Sequence, residues 1–313
     1  MKTTKKTYGL APARQWLVAV RKWRHRKHHL PVSLALTFGL VATLKAQDLY
    51  VTSYGTIGEY GLDGSTVNAS LVTGLQSVGV AVSGNDLFVA EQNGVGEYTT
   101  SGATVNASLI SGLSAPWDIA ISGNDLFVVN PQSGTIGEYT TSGATVNASL
   151  ISGLFVPTCI AISGNDLFVG GDNTIGEYTT SGATVNASLI SGLNGSEGAG
   201  ASGLAISGND LFVTDSDKET IGEYTTSGAT VNASLVSGIY PAGIAVWGND
   251  LFVANNLSGI IDEYTTSGAV VNASLISGLD YPLGIAISST PEPCSGALAG
   301  AAAALFWLWR RRR

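Results

Sequence analysis

A block of about 40 residues recurs six times between Asp48 and Ser288, and nothing else in this 313-residue chain limits its fold as strongly. The copies are close to verbatim. Gly-Asn-Asp-Leu-Phe-Val begins at Gly84, Gly123, Gly164, Gly208 and Gly248, and a worn first copy reads Asp48-Leu49-Tyr50-Val51. A Glu-Tyr pair follows at Glu59, Glu97, Glu138, Glu177, Glu223 and Glu263. Asn-Ala-Ser then falls at Asn68, Asn106, Asn147, Asn186, Asn232 and Asn272. A period of this length belongs to solenoids and propellers.

One unit shows which. Pro241–Val246 is a short apolar run, and Gly248-Asn249 is a hairpin turn leading into Asp250–Val253. Ile260–Thr265 alternates, Thr266-Ser267-Gly268 turns, and Val270–Ile276 reads as an outer strand. Four short antiparallel strands per unit is the content of a propeller blade. Glycine punctuates the unit too often for helical repeats, and no 3.6-residue apolar period is present. The repeat region opens on a second strand, Asp48–Val51, and closes on a first strand, Leu283–Ile287. The two ends must therefore share a blade, which shuts the ring and removes its open edge. The expectation is an all-β, six-bladed β-propeller over residues 47–289.

Charge divides the chain into three zones. Residues 1–46 hold ten Lys/Arg and no acid, and residues 310–313 are four arginines. Between them, residues 47–289 hold twenty-two acids and one base, Lys218. The overall −8 thus conceals an acidic domain that would repel phosphate backbones, so nucleic acid is not an expected partner. All three histidines, His25, His28 and His29, precede the repeats. A Ser-His-Asp set or a Cys-His pair is therefore impossible in the repeat domain. Cys159 lies in an apolar strand and reads as a small buried residue, while Cys294 lies in the tail.

The ends read as addresses. Residues 1–46 have the layout of a secretory signal peptide: a basic stretch, the apolar run Leu30–Leu44, then Ala46 before Gln47. The C-terminus gives Pro291-Glu292-Pro293, an apolar helical segment over Ser295–Trp309, and the arginine cluster. This order over residues 290–313 resembles the PEP-CTERM sorting signal of Gram-negative bacteria. The resemblance implies processing by an exosortase, transient anchoring in the inner membrane, and delivery to the cell surface or extracellular matrix.

The repeat itself resembles the NHL-type propeller repeat through Pro241–Val246, Asp250–Asn255 and Ile261–Tyr264, although the family's Arg before the third strand is missing throughout. In such propellers the end of the second strand approaches the central channel. That end carries Ser53, Glu91, Asn130, Gly171, Asp215 and Asn255, and the first strand contributes Asp118. Glu91, Asp118, Asn130, Asp215 and Asn255 are accordingly expected to converge as ligand-binding residues. Glu91, Asn130 and Asp215 would be the metal set, with Ca²⁺ the ion that such oxygen donors suit. This set resembles in type that of the gluconolactonase/regucalcin group. The third-strand course Thr174–Thr179 is similar to that of virginiamycin B lyase, but the histidine of that family's chemistry has no counterpart here.

Two functional readings follow. One is a non-catalytic binding or scaffold protein associated with exopolysaccharide, whose partner is a glycan or an extracellular protein. The other is a metal-dependent hydrolase of lactonase type. Exposed aromatics around Trp117, Tyr240, Trp247 and Tyr281 would favour a carbohydrate binder.

Overall fold

A computed structural model describes residues 47–171, 173–193 and 200–288. The segments expected to be a signal peptide (1–46) and a sorting signal (290–313), together with residues 194–199, lie outside the described residues.

Twenty-four strands follow one another in the described residues. The chain begins with β1 (Asp48–Ser53), β2 (Thr56–Gly61) and β3 (Thr66–Thr73). The second unit is β4 (Ser77–Ser83), β5 (Asp86–Glu91), β6 (Gly94–Thr99) and β7 (Thr104–Ser111). The third is β8 (Ile119–Ser122), β9 (Asp125–Asn130), β10 (Thr135–Thr140) and β11 (Thr145–Ile151). The fourth is β12 (Cys159–Ser163), β13 (Asp166–Gly170), β14 (Thr174–Thr179) and β15 (Thr184–Ser191). The fifth is β16 (Ala201–Ser207), β17 (Asp210–Asp215), β18 (Thr220–Thr225) and β19 (Thr230–Ser237). The sixth is β20 (Pro241–Trp247), β21 (Asp250–Asn255), β22 (Ile260–Thr265) and β23 (Val270–Ser277), and β24 (Ile285–Ile287) closes the series.

The strands form six four-stranded antiparallel sheets. Five are sequential meanders, and the sixth has the order β24-β1-β2-β3. There Leu49 pairs with Ile287 and Val51 with Ile285, so the last strand completes the first blade as expected. The inner strands touch in a closed cycle, β4 to β8, β12, β16, β20, β24 and back to β4. This is a six-bladed propeller.

The repeat motif explains the packing. Side chains alternate along the second strand of each blade, so Leu and Val face one neighbour and Phe faces the other. Leu87 and Val89 pack with Tyr50 and Ile57 of the preceding blade. Phe88 packs with Ile119, Leu126 and Tyr139 of the following one. The same division recurs at all six junctions, with Tyr50 replacing Phe in blade 1. Tyr50 pairs its buried hydroxyl with Glu59, donating to Oε1 at 3.2 Å. The tyrosine of each Glu-Tyr pair also lies in a junction, and in five blades a glycine two residues earlier leaves room for its ring, Asp262 standing there in the sixth. A Cβ on Gly137 would stand 2.8 Å from the Tyr139 ring.

Turns and edges follow local chemistry. Gly248 has φ 59° while Asn249 has no positive φ, the pattern of a type II′ hairpin. The outer strands are exposed, and each Asn-Ala-Ser closes on itself. Asn272 Oδ1, for example, accepts the Ser274 N–H at 3.1 Å beside a bulge opposite Glu263.

Because four strands run up and down, each blade has two ends. The first-to-second and third-to-fourth turns lie at one end, here the turn end. The second-to-third turns and the links between blades lie at the other, the link end. The turn end is nearly invariant, whereas the link end carries almost all the sequence differences between blades.

Phe212→Ala, which empties a fully buried junction position, is expected to destabilise the protein by about 3–5 kcal/mol in denaturant unfolding. Val105→Ala on an exposed outer strand should change stability by no more than about 0.5 kcal/mol.

Candidate functional site

The inner strands surround a central cavity of about 380 Å³ that opens at the link end. Its walls are mainly aliphatic. Val80, Ile119, Ile160, Leu204, Ile244 and Ile285 contribute one side chain per blade. One residue earlier the blades carry Gly79, Asp118, Cys159, Gly203, Gly243 and Gly284. Four of these are glycine because the inner strands meet there almost backbone to backbone. A Cβ on Gly203 would lie 2.7 Å from the Ala242 carbonyl oxygen, and one on Gly284 would lie 2.6 Å from that of Val78.

Blades 3 and 4 break the glycine ring. Asp118 reaches across their junction: Oδ1 accepts the Ile119 N–H at 2.9 Å, and Oδ2 accepts the Ile160 N–H at 3.0 Å. Asp118 is half-buried and lines the cavity. Desolvation drives its carboxyl from the usual 3.8 up to about 7, against the pull of the two N–H bonds. Cys159, the counterpart in blade 4, turns into the junction with blade 5, where its sulfur meets the Ala201 carbonyl. Burial raises that thiol far above its ordinary value, and Asp118 adds to the effect, so Cys159 is a neutral packing residue.

A collar of hydroxyls that sequence reasoning missed binds neighbouring blades around this cavity. Thr52 donates to Val78 O at 2.7 Å, Thr214 donates to Ala242 O at 2.6 Å, and Thr158 donates to Ala201 O. Ser202 donates to Pro241 O at 2.9 Å. The available signal was the polar residue at Thr52 and Thr214 where other copies carry Ala, Val or Gly.

Of the five expected ligand residues, only Asp118 lines the cavity. Glu91, Asn130, Asp215 and Asn255 stand two residues beyond the valine of their strands. Strand alternation therefore puts them on the Leu/Val face, inside the junction with the preceding blade rather than in the channel. Each is used within its own blade. Tyr98 donates its hydroxyl to Glu91 Oε1 at 2.8 Å. Asn130 Nδ2 donates to Val128 O at 3.2 Å. Asp215 accepts the Lys218 N–H at 2.9 Å and has the Lys218 ammonium at 3.6 Å. Asn255 Nδ2 donates to Asp262 Oδ2 at 3.1 Å. Burial raises the carboxyls of Glu91, Asp215 and Asp262. The proposed Ca²⁺ donors are thus parted among blades 2, 3 and 5. No three His, Cys, Asp or Glu side chains gather into a metal-holding group among the described residues. The residues present do not fit the calcium set inferred from the sequence.

Most of the exposed aromatics stand at the link end. Trp117 lines the opening, and Tyr54, Phe155, Tyr240 and Tyr281 lie exposed in turns and links of the same end. Trp247 closes the first hairpin of its blade and stands at the turn end, away from the others. Four non-glycine residues have left-handed backbone: Ala115 (φ 47°), Val156 (φ 41°), Glu219 (φ 56°) and Tyr281 (φ 48°). All four belong to link-end loops. Such conformations cost on the order of 1–3 kcal/mol each and concentrate at functional surfaces.

No family model matches the sequence, and no curated protein matches it. Solved structures do. A chain of the nidogen/laminin complex is 17% identical with TM-score 0.68, over 78% of this chain and 99% of that one. A catalytically inactive virginiamycin B lyase from Staphylococcus aureus, solved with quinupristin, is 21% identical with TM-score 0.56, over 78% of this chain and 89% of that one. The selenomethionine form of that lyase is 19% identical with TM-score 0.53, over 67% and 73%. At these identities the likeness is one of fold.

The Asp118 carboxyl gives a testable pH dependence. Its folded pKa, about 7, lies above the ordinary 3.8, so its contribution is most favourable below about pH 4 and falls as pH rises to about 7. In chemical unfolding at a series of pH values, Asp118→Asn should gain stability relative to the parent across this window. The slope should reach at most about 1.4 kcal/mol per pH unit and flatten above pH 7.

Proposed function

We propose that this protein is an exported, non-catalytic propeller that binds a glycan of the extracellular matrix through its link end. The observation that carries the reading is the segregation of the exposed aromatics: Trp117, Phe155, Tyr240 and Tyr281 share the end at which the blades differ. Flat aromatic faces suit the apolar faces of sugar rings, and several exposed on one end favour an interaction surface there. The acidic, nearly lysine-free domain also favours uncharged polymers over anionic ones.

The terminal segments support the destination. The basic, then apolar leader fits export, and Pro291-Glu292-Pro293 with its apolar and arginine tail fits PEP-CTERM processing by an exosortase at the inner membrane of a Gram-negative bacterium. The lactonase reading has less support, because Glu91, Asn130 and Asp215 are each bonded within a different blade.

Two measurements test the proposal. Exopolysaccharide from the producing cells should retain the protein in co-sedimentation, and Phe155→Ala/Tyr281→Ala should weaken retention by about tenfold or more. Trp247→Ala at the turn end should leave it unchanged. Equal retention of all three proteins would show that the aromatic end is not the binding surface. Replacing Pro291, Glu292 and Pro293 by alanine should hold the protein in the membrane fraction, and unaltered release would remove the sorting assignment.

A further inference from the structure

We propose that the central cavity beneath this aromatic end binds a compact organic cation: a primary or secondary ammonium group seated against Asp118, with its apolar body against the aliphatic wall. The proposal rests on the link end being the binding end, and it assigns a second, deeper site there.

The cavity, at about 380 Å³, falls in the range of about 300–1,000 Å³ that holds small ligands. Its wall is apolar on every blade, so it selects a hydrocarbon or aromatic body. Asp118 is the one ionisable residue among the described residues lining it. Each of its oxygens accepts one backbone N–H, which leaves acceptor capacity on both. Among the described residues no basic side chain neutralises it. Lys218, the single base in residues 47–289, is engaged with Asp215 and the Gly192 carbonyl. A carboxylate in such surroundings is costly without a cation, and an incoming ammonium would offset that cost.

The chemistry also chooses among cations. Ca²⁺ wants about 6–8 oxygen ligands, and an aliphatic cavity with one carboxylate and two hydroxyl residues, Thr158 and Ser202, falls short. An ammonium needs only a few acceptors and tolerates apolar walls around its carbon body. Trp117 at the mouth adds an aromatic face that attracts cations, and the acidic domain raises their local concentration. Anions are disfavoured by every one of these features.

The experiment is calorimetric titration of the full-length protein with 2-phenylethylamine and with its neutral near-isostere 2-phenylethanol. The amine should bind about tenfold or more tightly than the alcohol. Asp118→Asn should abolish that preference. Because this substitution also alters the bond to Ile160, the alcohol's affinity reports whether the cavity itself survives. In the parent protein the amine should weaken by about tenfold or more between pH 8 and pH 5, where Asp118 becomes neutral, while the alcohol stays constant. Cys159, the other titratable group beside Asp118, stays neutral throughout.

Equal affinities for amine and alcohol, a preference that survives Asp118→Asn or the change of pH, or no binding of either would each overturn the proposal. Glycan retention on the same preparation separates the two readings. Retention without amine preference leaves the surface standing and removes the cavity site. Amine preference without retention does the reverse.

Discussion

Each blade of this ring leans on the next through one buried aromatic side chain, Phe88, Phe127, Phe168, Phe212, Phe252 or Tyr50, set against the Leu-x-Val stripe of its neighbour. The rest of the molecule depends on that contact. It fixes which way every second strand faces, and it brings the inner strands so close that four of six positions beside the cavity admit no Cβ. A sheet with one open face could slip by a residue. A blade buried on both faces cannot, because a slip would exchange Phe for Leu and Val at two junctions together.

The same geometry separates scaffold from surface. Motifs repeated in all blades are consumed by structure: Leu-Phe-Val by the junctions, Glu-Tyr by the layer around them, and Asn-Ala-Ser by the outer edge. Freedom to differ remains only at the link end and around the cavity. There the chain places all its exposed aromatics but Trp247, its left-handed non-glycine residues and Asp118. One departure from symmetry, Asp118 at a position that is glycine in four blades, changes the chemistry of the whole cavity, because no other described residue lining it carries a charge.

Much of this was legible in the chain. The period, the four strands per unit and the sharing of a blade between Asp48–Ser53 and Ile285–Ile287 follow from local patterns. Asp118, expected near the channel from its place on a first strand, does line the cavity. The error over Glu91, Asn130, Asp215 and Asn255 has a definite cause. Their place at the end of a strand near the centre was given weight, while the two-residue alternation that turns them into the junction was not. Thr52 and Thr214 escaped notice because a threonine in an apolar strand has no meaning until the carbonyl it meets, on another blade, is known.

The sequence by itself determined the architecture, since repetition makes every local preference agree six times and the permuted ends leave one way to close. The tertiary structure alone decided which variable residues meet. Convergence at a central cavity depends on the direction of side chains from six blades, separated by up to two hundred residues of chain. Strand alternation encodes the face each side chain takes, but not what it meets there. The partners are set only when the junctions pack, bringing Asp118 to Ile160, Trp117 to the mouth and Glu91 to Tyr98.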